Sequence, residues 1–182
     1  MTITLGDIRK SIPIECFEKK LSTSIYYFFR DICLWGCSIY FYSISPQTFI
    51  YSILYWLSSG LFMWCLFMIG HDAGHSSFSN YYLINQIFGH LSHTPLLVPF
   101  ATWTESHKRH HQGHNHIRND YSYGWIPIHK AEKLSLFSKL FQKTGLYPII
   151  GWFMYLCGTI DGGHWIPFGG RLWKENTIFI LF

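Results

Sequence analysis

The sequence is poor in charged residues. Asp, Glu, Lys and Arg make up 13% of the chain, whereas soluble domains have about 25%. The stretch from Ile32 to Gly70, 39 residues long, contains no charged residue and no histidine. The net charge of +4 is spread along the chain, and no basic stripe is available to neutralise a run of phosphates. The composition, which is 20% aromatic, predicts a membrane protein and no nucleic-acid partner.

Paired cysteines and a secretory signal are also missing. The five cysteines form no CxxC pair, and Cys33, Cys37 and Cys65 lie inside the uncharged stretch, so we expect reduced thiols and neither disulfides nor metal ligands. Residues 1–31 mix both signs of charge and lack the basic-then-apolar order of a signal peptide. We predict short helices there at the membrane surface. A solvated amphipathic helix packed on the rest of the protein is the alternative.

The uncharged stretch is long enough for two membrane helices. A span needs about 20 apolar residues, and Ser45-Pro46-Gln47 provides a turn because proline breaks helical hydrogen bonding. Lys and Arg number five in residues 1–31 and seven in residues 71–143, which by the positive-inside rule makes that side cytosolic. We therefore predict an all-α integral membrane protein with a transmembrane hairpin and cytosolic histidine helices. Its segments would be 1–31, cytosolic or interfacial, and 32–182.

Two later apolar segments are less regular. Thr94 to Thr104 is only 11 residues long and contains Pro95 and Pro99, which suits an interfacial or re-entrant piece. Thr144 to Ile160 is uncharged over 17 residues and is either a marginal span or a half-buried helix. A turn-rich loop is expected over 161–171.

Histidines are concentrated in two clusters next to the apolar stretch, His71-Asp-Ala-Gly-His75 and His107-Lys-Arg-His110-His111. Residues three or four apart share one face of a helix, so His71 and His75 can address one metal centre together, and His107 can do the same with His110 and His111. Isolated histidines are more often surface or core residues than ligands, and we expect this of His90, His93, His129 and His164. His114 and His116 would continue a histidine-rich turn.

The chemistry of the clusters favours iron. Imidazole suits Fe, Zn, Cu and Ni. A zinc protease of the HExxH type needs a glutamate beside its first histidine, and this position holds Asp72, which is one methylene shorter. A centre of neutral imidazoles beside a bilayer instead suits iron that activates oxygen against an unactivated C–H bond.

Several motifs together resemble the membrane-bound acyl-lipid fatty acid desaturases. They are HDAGHSSFSN from His71, LLVPF at 96–100, SHKRHHQGHNH at 106–116 with Asn119-Asp120 after it, and DGGHWIPFGGRLW at 161–173. The opening segment, Thr4 to Pro13 with Cys16-Phe17 and Arg30-Asp31, is also similar to the omega-6/omega-3 (delta-12/delta-15 type) subgroup. The resemblance covers nearly the whole chain, and the two histidine boxes in this order are its most specific part.

The resemblance implies a di-iron enzyme of the endoplasmic reticulum membrane that is multi-pass with cytosolic histidine boxes. Such an enzyme uses oxygen and electrons from cytochrome b5 to insert a double bond into a fatty acyl chain. The iron ligands carried over to this sequence would be His71, His75, His107, His110 and His111. Asp72 and Asp120 would accept hydrogen bonds from ligand imidazoles and orient them; ordinary surface or capping roles are the alternative. No catalytic residue beyond the metal ligands is implied.

The chain departs from the family pattern at one point. The family carries a third box of the form (H/Q)xxHH, and no paired histidines follow His116. Family members are also about twice as long, so we expect a fragment or a shortened form of the N-terminal half. Two irons would need about eight imidazoles, and five leave the centre incomplete. We therefore expect this polypeptide alone to be inactive.

Two other classes of function remain open from the sequence. A related acyl-lipid hydroxylase, conjugase or acetylenase shares the boxes and differs by a few pocket residues. A non-catalytic membrane protein could keep the first half of the fold and pair with an intact desaturase. Acyl chain length, carrier and the carbon attacked are not determined by the sequence.

Overall fold

The computed structural model describes residues 3–116, 119–120, 128–144, 146–158 and 163–165. Over these residues the regular structure is entirely helical, as predicted, with no β-strand. The chain forms two compact units, Met1–Ser92 and His93–Phe182. Each unit contains one of the two histidine clusters.

The first unit begins with short helical segments. Helix α1 (Leu5–Ser11) starts at a capping box, in which the Thr4 hydroxyl accepts from the Asp7 backbone N–H and the Asp7 carboxylate accepts from the Thr4 backbone N–H. A 3-10 turn follows at Ile14–Phe17. Leu5, Ile8 and Ile14 are exposed, as expected for a segment that offers apolar side chains to a surface outside the unit.

Two long helices form the body of the first unit. Helix α2 (Leu21–Ile44) and helix α3 (Phe49–Gly74) are joined by the predicted turn around Pro46. Helix α2 begins eleven residues before the uncharged stretch. Arg30 and Asp31 can lie within this helix because they form an ion pair. The Arg30 guanidinium is 2.7 Å from the carboxylate of the buried Asp31, so the charge of each group is compensated by the other.

Helices α2 and α3 lie antiparallel. The Ser38 and Ser59 hydroxyls are 3.1 Å apart, and nearer the turn the Tyr42 hydroxyl lies 3.1 Å from that of Ser52. The Tyr42 ring also stacks on Tyr55 with centroids 4.5 Å apart. Among the described residues, α3 is the one helix whose length and hydropathy suit a membrane crossing.

The first unit is completed by helix α4 (Tyr82–His93). Its Phe88 ring packs edge-on against Phe28 of α2 at 4.9 Å and stacks on Phe78 at the same distance. The buried Ser79 hydroxyl donates to the Asn85 side chain at 2.9 Å. These contacts fix the segment that follows the first histidine cluster.

The second unit is built on the helix that carries the second histidine cluster. The apolar segment from Thr94 forms a 3-10 turn (Thr94–Leu96), and Leu97 follows in the left-handed region with φ 57°. Helix α5 (Phe100–Gly113) then starts after Pro99. Helices α6 (Ile128–Ala131), α7 (Leu136–Lys143) and α8 (Leu146–Cys157) complete the unit.

Helix α5 is anchored to α8 and to the segment 163–165. The Ser106 and Tyr155 hydroxyls are 3.2 Å apart, and the Thr102 hydroxyl donates to the His164 carbonyl at 3.1 Å. The His164 backbone N–H donates to the Leu156 carbonyl at 2.7 Å. The predicted apolar segment 144–160 is therefore helical over most of its length, while most of the predicted loop 161–171 lies outside the described residues.

Candidate metal centre

The first histidine cluster lies at the end of helix α3. His71 is in its last turn, and His75 is the residue after its final glycine, with its backbone N–H donating to the His71 carbonyl at 3.0 Å. The two rings meet edge to face with centroids 4.5 Å apart. Each ring offers one nitrogen, and the two nitrogens lie within 4.8 Å of each other. Two imidazoles thus emerge together from the end of the most apolar helix.

The second histidine cluster lies on the last turns of helix α5. The His107 and His111 rings are nearly perpendicular, with centroids 4.5 Å apart, and their Nε2 atoms are 3.0 Å apart. His110 is on the same part of the helix, with its centroid 5.9 Å from that of His107 and 5.6 Å from that of His111. The predicted helical faces therefore bring these three rings together.

The His107 and His111 nitrogens have the separation of two ligands on one metal ion. Imidazole nitrogens bind transition metals at about 2.1 Å, so two that subtend a right angle at the ion lie about 3.0 Å apart. Without an ion, one N–H can be donated across this gap and the remaining positions have to be satisfied elsewhere. The donor set is nitrogen only, which suits iron, copper, nickel and zinc.

Asp120 lies against one of these histidines. Its carboxylate oxygen is 2.7 Å from His110 Nδ1, and its side chain is 2% exposed. A carboxylate at this position accepts a hydrogen bond from Nδ1–H. The other ring nitrogen, Nε2, then carries the lone pair that can bind a metal, as at many metal sites. Asp72, in contrast, lies 3.3 Å from His71 Nδ1 and is 56% exposed, so any interaction with His71 is weaker.

Turn hydrogen bonds hold Asn119 and Asp120 against the residues that follow α5. The backbone N–H groups of Asn119 and Asp120 both donate to the His116 carbonyl, and His116 Nδ1 accepts from the Asn119 N–H at 3.2 Å. Gly113 lies so close to the Asn119 carbonyl that a Cβ atom would collide with it. His116 thus has a structural role in this turn. His114 is exposed, with its ring 5.3 Å from His110.

Trp103 and His164 stand out in the second unit, and the sequence analysis did not single them out as site residues. The Trp103 ring stacks on His107 with centroids 4.6 Å apart and an interplanar angle of 16°. His164 is completely buried, neither ring nitrogen makes a hydrogen bond with another of the described residues, and its ring lies 4.6 Å from that of Tyr155. Burial lowers the pKa of His164 to about 4, and the nearby carbonyls of Tyr155 and Leu156 oppose this only in part. Trp103 and His107 are four residues apart on α5, so helical spacing could have indicated their stacking.

The two units thus define a helical protein that carries a histidine cluster near the end of one helix in each unit. Residues 49–178 match the family model described as Fatty acid desaturase. The chain belongs to the fatty acid desaturase family, which confirms the resemblance to the acyl-lipid desaturases.

The relatives include bacterial and plant enzymes. The chain is 37% identical over 172 residues to the sn-1 acyl-lipid omega-3 desaturase (ferredoxin) of Nostoc sp. (strain 36), which covers 92% of this chain and 46% of the relative. It is 34% identical over 167 residues to the acyl-lipid omega-3 desaturase (cytochrome b5), endoplasmic reticulum, of Arabidopsis thaliana, covering 90% and 43%. The temperature-sensitive chloroplastic sn-2 acyl-lipid omega-3 desaturase (ferredoxin) of that plant is 35% identical, covering 90% and 38%.

The chain spans less than half the length of these curated relatives. No solved structure matches it.

Proposed function

We propose that this chain supplies five imidazole ligands to a di-iron centre that inserts a double bond into the fatty acyl chain of a membrane lipid. The ligands are His71 and His75 from the first unit and His107, His110 and His111 from the second. The 3.0 Å separation of the His107 and His111 Nε2 atoms carries this proposal, because two imidazole nitrogens that share a proton at this distance are also close enough to bind one ion. The family match, which includes both clusters, supports joining them in one centre.

The chemistry of desaturation explains why such a centre is needed. Removing one hydrogen from each of two adjacent methylene groups, with O2, two electrons and two protons, gives a double bond and two molecules of water. When bound, iron supplies the activation of O2 toward an unactivated C–H bond. The protein holds the ligands and orients the acyl chain. Asp120 fixes the orientation of His110, and Asp72 does so more weakly for His71.

A groove near the first histidine cluster has the mixture of charged and apolar residues that suits an amphipathic substrate. It has a volume of about 380 Å³ between α2 and α3, and Asp72 lies in its wall together with Arg30 and Asp31. The rest of the wall is mainly apolar and aromatic, including Trp64 and Met68. We propose that an acyl chain approaches the histidines along this groove.

Membrane placement and electron supply are part of the same proposal. Helices α2 and α3 would cross the endoplasmic reticulum membrane as a hairpin in a multi-pass protein, with the histidine clusters in the cytosol. Cytochrome b5 would deliver the electrons. The names of the relatives include both cytochrome b5 and ferredoxin, and the endoplasmic reticulum relative is named with cytochrome b5.

A chimera tests the proposed function. Residues 1–165 of this chain, joined to the remaining part of the Arabidopsis endoplasmic reticulum relative, are expressed in a yeast strain that lacks polyunsaturated lipids and supplies cytochrome b5. We expect new double bonds in the lipid acyl chains, and their loss when His107 and His111 are both changed to alanine. A chimera that accumulates at normal levels but leaves the acyl chains unchanged would contradict the proposal, and a hydroxylated product would indicate the related hydroxylase chemistry.

A metal-binding cycle tests whether the two clusters serve one centre. The double variants His71→Ala/His75→Ala and His107→Ala/His111→Ala are compared with the quadruple variant for Fe(II) affinity under anaerobic conditions. Ligands of one centre give strongly non-additive losses, so either double variant should lose most of the binding. Additive losses would show that the clusters bind metal independently.

A further inference from the structure

The side chain of Trp103 lies directly on a proposed metal ligand. Its ring is 4% exposed and stacks nearly parallel on the His107 imidazole, with centroids 4.6 Å apart and an interplanar angle of 16°. The two residues are four apart on α5, so the helix itself brings them into register.

Other contacts fix the Trp103 ring in turn. The His93 ring meets it edge to face at 4.8 Å and 81°, and the same imidazole meets the buried Phe100 ring at 5.5 Å. Trp103 also begins the hydrogen bonding of α5, since its backbone N–H donates to the Pro99 carbonyl at 2.9 Å. The indole is therefore a rigid surface and not a mobile side chain.

The stacking limits the rotation of the His107 ring. One face of the imidazole is covered by the indole, and the edge of the ring is directed so that Nε2 lies 3.0 Å from Nε2 of His111. A rotation about the Cβ–Cγ bond would lift the imidazole off the indole and separate the two nitrogens. Stacked aromatic pairs contribute beyond their buried area, which makes that rotation unfavourable.

We propose that Trp103 is a positioning residue for the metal centre: its indole face holds the His107 imidazole in the orientation that binds metal. The inference rests on the proposed function, because it takes His107 as a metal ligand. It adds a residue outside the histidine boxes that sets ligand geometry before the metal arrives. Pre-organised ligands bind more tightly and with a better defined geometry.

The test uses the full 182-residue chain in detergent micelles with Co(II) as the probe metal. Co(II) reports both affinity and ligand geometry through its visible absorption bands. Trp103→Leu removes the aromatic face, and Trp103→Phe restores it with a smaller ring. Trp56→Leu is the matched control, because it makes the same chemical change at a tryptophan that is 61% exposed on α3 and lies fifteen residues before His71.

We expect Trp103→Leu to weaken Co(II) binding about tenfold or more and to change the absorption bands. Trp103→Phe should stay within about threefold of the wild type, since a phenyl ring keeps most of the stacking. Trp56→Leu should leave both readouts unchanged. Circular dichroism identifies any variant that has lost its helices. The proposal is wrong if folded Trp103→Leu keeps the wild-type affinity and bands, or if Trp103→Phe loses as much as Trp103→Leu.

A measurement without metal separates this inference from the proposed function. In histidine-labelled, metal-free chain, the indole ring current should shift the His107 ring protons upfield, with His107→Asn providing the assignment. The shift should vanish in Trp103→Leu. If the shift is present but the wild-type chain binds no Co(II), then both the proposed function and the positioning role are overturned. If the wild type binds Co(II) and Trp103→Leu binds it equally well, only the positioning role of Trp103 is overturned.

Discussion

Individual residues around the second histidine cluster differ in how strongly they control the ligands. Asp120 is buried and 2.7 Å from its histidine, whereas Asp72 is exposed and 3.3 Å from its partner. The sequence placed both in the same role, because the aspartates at these positions follow the family motif. The structure separates them through burial, which depends on how Asp120 packs against the end of α5 and is not visible in the motif.

We predict that Asp120→Asn weakens Fe(II) binding by about 10- to 100-fold, the usual effect of losing a carboxylate partner of a ligand imidazole. Asp72→Asn should cost less than Asp120→Asn, because solvent screens the exposed pair. Anaerobic titration of the two variants, which carry the same chemical change, measures the difference. Equal losses would show that the distance and burial in the structure do not matter for binding.

His164 makes the second unit sensitive to acid. Its pKa is about 4 in the folded chain against an ordinary value of 6.5, so the unfolded chain takes up the proton first as the pH falls. The stability of the folded chain is therefore retained above pH 6.5 and declines as the pH falls toward 4. The decline amounts to at most about 3 kcal/mol.

The test is the drop in unfolding temperature between pH 7 and pH 4. We expect a smaller drop in His164→Asn than in the wild type, and an unchanged drop in His129→Asn, because His129 is exposed. If His164→Asn and the wild type lose the same amount on acidification, His164 is not held neutral. This role could not be predicted from the sequence, since an isolated histidine is indistinguishable from an ordinary surface residue until packing encloses it.

At the scale of helices, we expect the turn contacts after α5 to influence metal binding as much as the helix itself does. Gly113→Ala would place a Cβ atom against the Asn119 carbonyl and push the neighbouring Asp120 away from His110. We predict weaker metal binding, by about tenfold, together with lower stability. Gly36→Ala is the matched control, because nothing lies within 4 Å of its added Cβ and alanine favours a helix over glycine by about 1 kcal/mol. Similar metal affinity in both variants would contradict the importance of this turn.

The proposed membrane hairpin can be tested with the natural cysteines. Cys16 lies before α2 and Cys37 lies within it, and both are exposed in the structure. If α2 crosses the bilayer, a membrane-impermeant maleimide should label a Cys16-only variant in permeabilised microsomes. A Cys37-only variant should react only after denaturation. Rapid labelling of Cys37 in intact membranes would show that α2 lies outside the lipid.

The helical elements were predicted well where local pattern decides them. The turn near Pro46 and the helical spacing of His107, His110 and His111 follow from proline and from the 3.6-residue period. The start of α2 at Leu21 was not foreseen, because Arg30 and Asp31 indicated the end of a polar segment. Their mutual neutralisation and the burial of Asp31 are products of packing and cannot be obtained from composition.

For the whole molecule, the five proposed ligands come from two compact units, two histidines from the first and three from the second. If both units contribute to iron binding as proposed, the anaerobically purified protein should contain iron by elemental analysis. The iron content should fall in both double variants, His71→Ala/His75→Ala and His107→Ala/His111→Ala. A protein without iron, or one whose iron content depends on a single cluster, would contradict this expectation.

The position of His71 has a consequence for how the bilayer acts on the centre. His71 belongs to the last turn of α3, and no hinge separates it from the apolar body of that helix. A spanning helix adjusts to a thinner or thicker bilayer by tilting, and a ligand fixed to its end has to move with it. If α3 spans the membrane and His71 binds iron as proposed, cold-stiffened or short-chain lipids would alter the geometry of that site mechanically, so that lipid composition would itself act on the proposed desaturase chemistry.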